Sequence, residues 1–224
     1  MPLDVSPPIS LDLWQDSLQW QPNSTQMRQF QAFYGTVVAA NQTLNLTRIT
    51  SPQDFWEKHL WDSLSGIAPW LGDLAQVTHF RVVDIGSGAG FPGVPVAIAR
   101  PDWSVTLLEA TRKKVTFLET LPPILNLDNI RPCWGRAETY PNSEPRFDLA
   151  LIRAVGKAPL CITYGLPLLR SGGHLVLYRG QWAIAEENDL VKHLKRQGAF
   201  LEDVRSFQTP LSQSQRHCLL IKKD

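Results

Sequence analysis

Asp84-Ile85-Gly86-Ser87-Gly88-Ala89-Gly90 sets a glycine at every second position directly after the apolar pair Val82-Val83. Glycine lets a backbone turn tightly and lets a ligand approach with no Cβ in the way. A helix starting just beyond would add free N–H groups and a positive dipole end. This pattern suits a nucleotide-type cofactor, and two cofactor classes compete for it. Gly88-x-Gly90-x-x-Gly93 formally satisfies the dinucleotide fingerprint. That match opens three residues past Ile85 instead of at the strand end, and Phe91-Pro92 intrudes where a pyrophosphate wants bare backbone. The S-adenosylmethionine loop, Asp-x-Gly-x-Gly-x-Gly, starts in register at Asp84. Glu109 ends the next apolar run, where a carboxylate accepts hydrogen bonds from the ribose diol of either cofactor. The lesser alternative is a cap for a helix opening at Thr111.

Other reactive residue types are sparse. Arg153 follows the apolar run 147–152, where it either faces a ligand or pairs with a carboxylate. His59 and Asp62 are three apart and share a helix face, so a His–Asp hydrogen bond bracing that helix is the default reading. No third ligand stands at metal spacing, so no metal site is expected. Cys133, Cys161 and Cys218 are far apart, odd in number and form no CxxC pair. That excludes a disulfide framework and a thiolate zinc cluster, and it suits a reducing cytoplasm. Asn45 and Thr47 read as turn and cap residues, and Arg112-Lys113-Lys114 as a solvated face.

The elements that must position these residues change character near residue 80. Before it the periodicity is helical. Met27, Phe30, Phe33, Tyr34, Val37 and Val38 mark one helix capped by Asn23 or Ser24. Ser51-Pro52-Gln53-Asp54 opens another as a capping box, with Trp56, Leu60 and Leu64 as its core stripe. A shorter helix is expected around Leu11–Trp20, preceded by a loose segment holding Pro2, Pro7 and Pro8. After residue 80, apolar runs alternate with helical patterns. The runs are Phe80–Ile85, Val105–Leu108, Ile130–Trp134, Phe147–Ile152, His174–Tyr178, Phe200–Phe207 and His217–Ile221. Helices fit at 93–100, 111–121, 157–167 and 183–197, with only a turn of helix in 135–146. This order predicts an α/β doubly wound parallel sheet. Gln208–Arg216 is too short for a crossover, so the last two strands should pair antiparallel. That ending favours the S-adenosylmethionine loop over the dinucleotide one.

Composition sets the outer bounds. The chain has 224 residues, 43% hydrophobic and 19% charged, which is a globular balance. The first residues show no basic, apolar leader, and no apolar run approaches the ~20 residues of a membrane span. Net charge is +1, but residues 1–80 carry −4 and residues 81–224 carry +5. An anionic partner would therefore meet the second part.

Several ordered segments resemble the RsmG (GidB) family of 16S ribosomal RNA guanine-N7 methyltransferases, over roughly residues 30–222. Asn41-Gln42-Thr43-Leu44-Asn45-Leu46-Thr47 is similar to its Asn-x-x-x-Asn-Leu-Thr segment. His59-Leu60-Trp61-Asp62-Ser63 is similar to its His-x-x-Asp-Ser segment, and Asp84–Gly93 to its long loop. Gly135-Arg136-Ala137-Glu138, Ile152-Arg153-Ala154 and Arg216-His217 resemble its later motifs. Arg179-Gly180 departs from the Lys-Gly common there, and the two cations differ in geometry.

The resemblance implies a Rossmann-like class I S-adenosylmethionine-dependent methyltransferase. Its mostly parallel seven-stranded sheet would end in an antiparallel strand. Residues 1–79 would form a helical extension packed on a catalytic domain of residues 80–224. The cofactor would meet Asp84, Gly86, Ser87, Gly88, Gly90 and Phe91. Glu109, Ala110 and Thr111 would hold its ribose, and Ala137 and Glu138 its adenine. Arg153 would stand beside cofactor and target base as the catalytic residue. Arg48, Arg136, Arg179, Arg216, Lys222 and Lys223 are the basic candidates for RNA, with loop 208–215 beside them. The implied partner is 16S ribosomal RNA or the 30S subunit, met by a cytoplasmic monomer with no membrane or metal.

Guanine N7 has a free lone pair and no proton, so its attack on a sulfonium methyl needs alignment but no general base. Ile152-Arg153-Ala154-Val155 stands where an amine methyltransferase would carry Asn/Asp-Pro-Pro-Tyr. Pro159-Leu160-Cys161 has the wrong spacing for a pyrimidine C5 nucleophile. The residues alone stop at a methyltransferase of nucleic acid; a small-molecule or protein acceptor stays open.

Overall fold

A computed structural model of the chain describes residues 10–72, 79–141 and 146–224. The expected loose segment around Pro2, Pro7 and Pro8 lies outside the described residues, as does the extreme N-terminus. Helix α1 (Leu11–Leu18) is capped by Ser10, whose side chain accepts from the Leu13 N–H. Helix α2 (Ser24–Leu44) starts at Asn23, in a reciprocal capping box with Gln26. Its Phe30, Phe33, Tyr34 and Val37 are buried. Burial of each such side chain contributes about 1.5–3 kcal/mol.

The next helical run is less regular than its sequence implies. Helix α3 (Pro52–Phe55) passes through a π-helical turn, Trp56–Trp61, into α4 (Asp62–Ser65). Ser51 caps α3 by accepting from the Asp54 N–H, but the expected capping box is open. The Asp54 carboxylate pairs instead with Lys58, at 2.6 Å. The run is buried on more than one face. Trp56, Glu57, His59, Leu60, Trp61, Asp62 and Leu64 are all enclosed, polar members included.

The sheet has seven strands. They are β1 (Arg81–Ile85), β2 (Ser104–Glu109), β3 (Ile130–Trp134), β4 (Phe147–Arg153), β5 (Leu169–Arg179), β6 (Ala199–Gln208) and β7 (Gln215–Lys223). Their order is β3-β2-β1-β4-β5-β7-β6. β1 to β5 pair in parallel, and β7 runs antiparallel between β5 and β6. Helix α5 (Gly93–Ala99) follows β1. The helix expected over 111–121 divides into α6 (Arg112–Leu118) and α7 (Leu121–Leu125), the second opening on Pro122. Proline has no N–H to continue the first helix but suits a new first turn. A 3-10 turn, Ala137–Thr139, follows β3, and α8 (Ala158–Gly165) and α9 (Ile184–Lys195) precede β5 and β6.

One apolar core joins the N-terminal helices to the sheet, running from Trp14, Phe30 and Trp56 to Val82, Ile98 and Leu149. The Tyr178 hydroxyl, buried on β5, donates to the Ser63 carbonyl at 2.7 Å. This bond ties α4 to the end of β5, while Trp70, beyond α4, packs on Phe80 just before β1.

Candidate active site

The glycine loop leaves β1 at Ile85. Gly86, Gly88 and Gly90 have φ of +76°, +58° and +101°, where a side chain is strained. A Cβ on Gly86 would also fall 2.8 Å from Val155 Cγ2. Asp84 lies beneath the loop with no exposed surface. Its Oδ2 accepts the Gly93 N–H at 2.9 Å, while its Oδ1 is enclosed without a partner among the described residues. Burial pushes its carboxyl up to about 7, opposed by the Gly93 hydrogen bond. Ser87 Oγ donates to the Asp84 carbonyl and pins the first turn.

A cavity of about 260 Å³ opens where β1, β2 and β3 end. Its wall includes Gly86, Glu109, Ala110, Gly135, Arg136, Ala137 and Glu138. These residues come from three separate strand ends, as the sequence reading requires of a cofactor wall. Ser87, Gly88, Gly90, Phe91, Thr111 and Arg153 stand outside that wall, and Asp84 is sealed below it. The buried Glu109 accepts the Gly88 N–H at 2.9 Å and the Thr111 N–H at 2.7 Å, one on each oxygen. It ties the loop to the next strand end and keeps further lone pairs toward the cavity. A larger cavity of about 980 Å³ lies between α2 and α6, lined by Ala32, Thr36, Ala39 and Phe117. Its wall is mostly apolar and takes no residue from the strand ends, so the smaller cavity is the chemical candidate.

Arg153 at the end of β4 gathers the N-terminal helices onto this edge. Its Nη1 donates to Asp62 Oδ2 at 2.9 Å and to the Lys58 carbonyl at 3.0 Å. Its Nη2 lies 2.8 Å from His59 Nδ1. Asp62 also faces Arg216 Nε, at 3.5 Å. The expected direct bond between His59 and Asp62 is thus replaced by a bridge: the guanidinium stands between them. Burial, then the Arg153 charge, pulls the His59 pKa down to about 3, so the ring is neutral. Its Nε2 meets Thr47 Oγ1 at 2.8 Å, and the ring stacks on Phe91 at 4.2 Å. Burial raises the Asp62 pKa, while Arg153 and Arg216 oppose that rise. Asn45 takes a left-handed conformation at the end of α2, as a turn residue should.

The basic candidates separate in space. Arg136 is exposed beside the cavity, and Arg48 is exposed after α2. Arg216 begins β7 at the site edge and is committed to Asp62. Arg179 is half-buried at the end of β5, donating to the Gly156 carbonyl at 2.6 Å. Lys222 and Lys223 need correction. Because β7 is antiparallel, Lys222 pairs with His174, level with Leu149 near the start of β4, at the opposite end of β7 from loop 208–215. Lys223 Nζ is spent on the carbonyls of Leu166 and Leu169, both at 2.8 Å.

Sequence reasoning missed Glu57. Its buried carboxylate accepts the N–H groups of Leu211 at 2.5 Å and Ser212 at 2.8 Å, fastening the β6–β7 loop to the π-helical turn. A glutamate among Phe55, Trp56, Leu60 and Trp61 was the available signal. Among the described residues no three His, Cys, Asp or Glu side chains gather as a metal-ligand set.

The sheet order, its antiparallel β7 and the cavity at the strand ends define a class I methyltransferase fold. In M. jannaschii, the structure of TYW2 in complex with AdoMet matches with a TM-score of 0.56 at 15% identity, covering 78% of this chain and 77% of that one. The family described as "rRNA small subunit methyltransferase G" (GidB) matches residues 26–219. A "Ribosomal RNA small subunit methyltransferase G" from Thermosynechococcus vestitus is 58% identical over 94% of this chain and 92% of its own. The Microcystis aeruginosa protein of that name is 48% identical, over 96% and 98%. The chain belongs to the rRNA small subunit methyltransferase G family.

Proposed function

We propose that the protein transfers a methyl group from S-adenosylmethionine to N7 of a guanine in the decoding-region loop of 16S ribosomal RNA. The observation that carries this reading is the wall of Gly86, Glu109, Ala110, Ala137 and Glu138 at three neighbouring strand ends, in a chain of this family. The residues present fit the cofactor. Glu109 keeps acceptor capacity for a ribose diol. Gly86 leaves bare backbone where a side chain would crowd Val155. The cofactor, when bound, supplies an electrophilic methyl on a sulfonium.

The chain's own part is to bind, orient and exclude water. Arg153 is held by Asp62, His59 and the Lys58 carbonyl, so its guanidinium plane is fixed before any base arrives. A fixed plane of this kind can stack on a purine or donate to its O6. His59 is neutral with both ring nitrogens engaged, which suits a role in holding Arg153 more than one in taking a proton. Attack by N7 asks for no proton transfer, so alignment supplies the rate gain. Asp84, Ser87, Gly88, Gly90 and Phe91 support the loop from below and behind, and Thr111 anchors Glu109. We further propose that the protein acts as a monomer and in the cytoplasm, where a bacterial ribosomal RNA substrate is met. Among the described residues no helix is long and apolar enough to cross a membrane.

The test is direct. The purified protein is incubated with methyl-labelled S-adenosylmethionine and 30S subunits that lack N7-methylguanosine, and the RNA is digested. Labelled N7-methylguanosine is the expected product. Label in a different nucleoside overturns the atom assignment, and cofactor binding without label in the RNA overturns the substrate.

A further inference from the structure

The chain has eight tryptophans, and Trp134 stands apart from the rest. It is 60% exposed, whereas the other seven are buried or half-buried. It ends β3 level with Glu109 at the end of β2, so it lies on the same edge of the sheet as the cofactor wall. The ring is held there. Its Nε1 donates to the Ala110 carbonyl at 3.1 Å, and the Arg112 guanidinium lies 4.9 Å from the ring centroid. An indole fixed before a ligand arrives loses little freedom on binding one.

The surroundings are cationic. Residues 111–118 and 132–137 carry Arg112, Lys113, Lys114 and Arg136 and no carboxylate. Arg112, Lys113 and Arg136 are exposed. The flanking carboxylates are placed elsewhere. Glu109 is buried on two backbone N–H groups, Glu138 lines the cofactor cavity, and Glu119 caps the far end of α6. Cations alone would suit any polyanion. The open indole adds a demand for a flat partner. A single-stranded stretch of RNA answers both, with phosphates for the guanidinia and an unpaired base for the ring.

We infer that Trp134 is a stacking platform for an unpaired base of the RNA substrate, with Arg112 and Arg136 on the adjoining phosphates. The inference rests on the proposed function, because it needs RNA at this edge. β2 and β1 separate β3 from β4, so the platform stands about 14 Å from Arg153 across the sheet. The base on Trp134 is therefore not the methylated one. It is another nucleotide of the same substrate, and its grip steadies the strand over the cofactor wall.

Ala110, Gly135 and Arg136, the neighbours of Trp134, line the cofactor cavity, so the test must separate stacking from a role in shaping that wall. Trp134→Ala removes the ring. Trp134→Phe keeps a ring and removes the N–H that meets Ala110. Methyl transfer to 30S subunits gives KM and kcat, calorimetry gives cofactor affinity, and melting reports the fold. In Trp134→Ala the KM for 30S is expected to rise about five- to hundred-fold, the effect of losing one stacked base. Its kcat, cofactor affinity and Tm stay unchanged. Trp134→Phe, which keeps a stacking face, stays within about three-fold of wild type in KM. Unchanged KM in Trp134→Ala overturns the platform while wild-type transfer stands. An equal rise in both variants overturns it too, because the ring is then not the binding group. Lost cofactor affinity or Tm in either variant overturns it in favour of a brace on Ala110. Failure of the wild-type protein to methylate 30S RNA overturns the proposed function itself, and the platform with it.

Discussion

Two buried carboxylates brace the same edge of the sheet by different physics. Asp84 under the glycine loop accepts the Gly93 N–H within its own loop. Asp62 in the N-terminal helices holds two guanidinia, Arg153 and Arg216, from the far strands. The loop side is a local device of backbone N–H groups accepted by carboxylates, with left-handed glycines. The helical side is a seam of charge joining residues 91 apart in the chain. A local device can form as soon as its residues exist, whereas a charged seam needs both halves of the molecule in place. That difference separates what shapes the cofactor wall from what fixes the residue over it.

The most severe test strikes the seam. Asp62→Ala leaves Arg153 enclosed without its carboxylate, and breaking a buried pair in this way costs about 3–5 kcal/mol. Chemical denaturation should show that loss. A change near zero would mean the seam is solvated and the contrast with the loop is false.

The next test strikes the loop through pH. The folded form keeps a proton on Asp84 that the unfolded chain loses between the ordinary value of 3.8 and about 7. Its contribution to stability is complete below the lower value and is lost as pH rises through the upper one. Asp84→Asn cannot titrate. Its stability relative to wild type should therefore climb from pH 4 to pH 8, read as denaturation midpoints. A flat difference would show that the Asp84 carboxyl is not raised.

Gly86→Asp sharpens the contrast from the ligand's side. Strain at φ +76° and the contact with Val155 should weaken cofactor binding by about 1–3 kcal/mol, roughly ten- to hundred-fold. Calorimetry checks it, with Tm as the control. Unchanged affinity would remove Gly86 from the cofactor wall. The smallest effect belongs to an exposed pair on the same helical run. Asp54→Ala breaks the contact with Lys58 at a cost of no more than about 0.5 kcal/mol. A cost near that of Asp62→Ala would show that charge alone, without burial, holds these helices.

The loop side could be read from the chain directly, because its signals are adjacent. An apolar run, alternate glycines and a carboxylate at the next strand end are all short-range. Glu109 proved to serve the loop backbone as well as the cavity, a dual role its spacing does not reveal. The seam was only partly visible. His59, Asp62 and Arg153 were each singled out, but the guanidinium's place between the other two depends on how the helical run 52–65 meets the end of β4. The π-helical turn that buries Glu57, His59 and Leu60 together has no periodic signature. The misplacement of Lys222 and Lys223 was avoidable, since an antiparallel last strand must carry its final residues away from the loop that precedes it.

The position of β7 has a consequence for the order of synthesis. It is made after β6, yet it lies inside the sheet, between β5 and β6. Until residues 215–223 leave the ribosome, β5 has a bare edge and β6 has nothing to pair with. The Glu57 carboxylate, made long before, waits for Leu211 and Ser212. The nascent chain thus holds an open strand edge, the kind of surface that invites pairing between chains, until residues 215–223 close it.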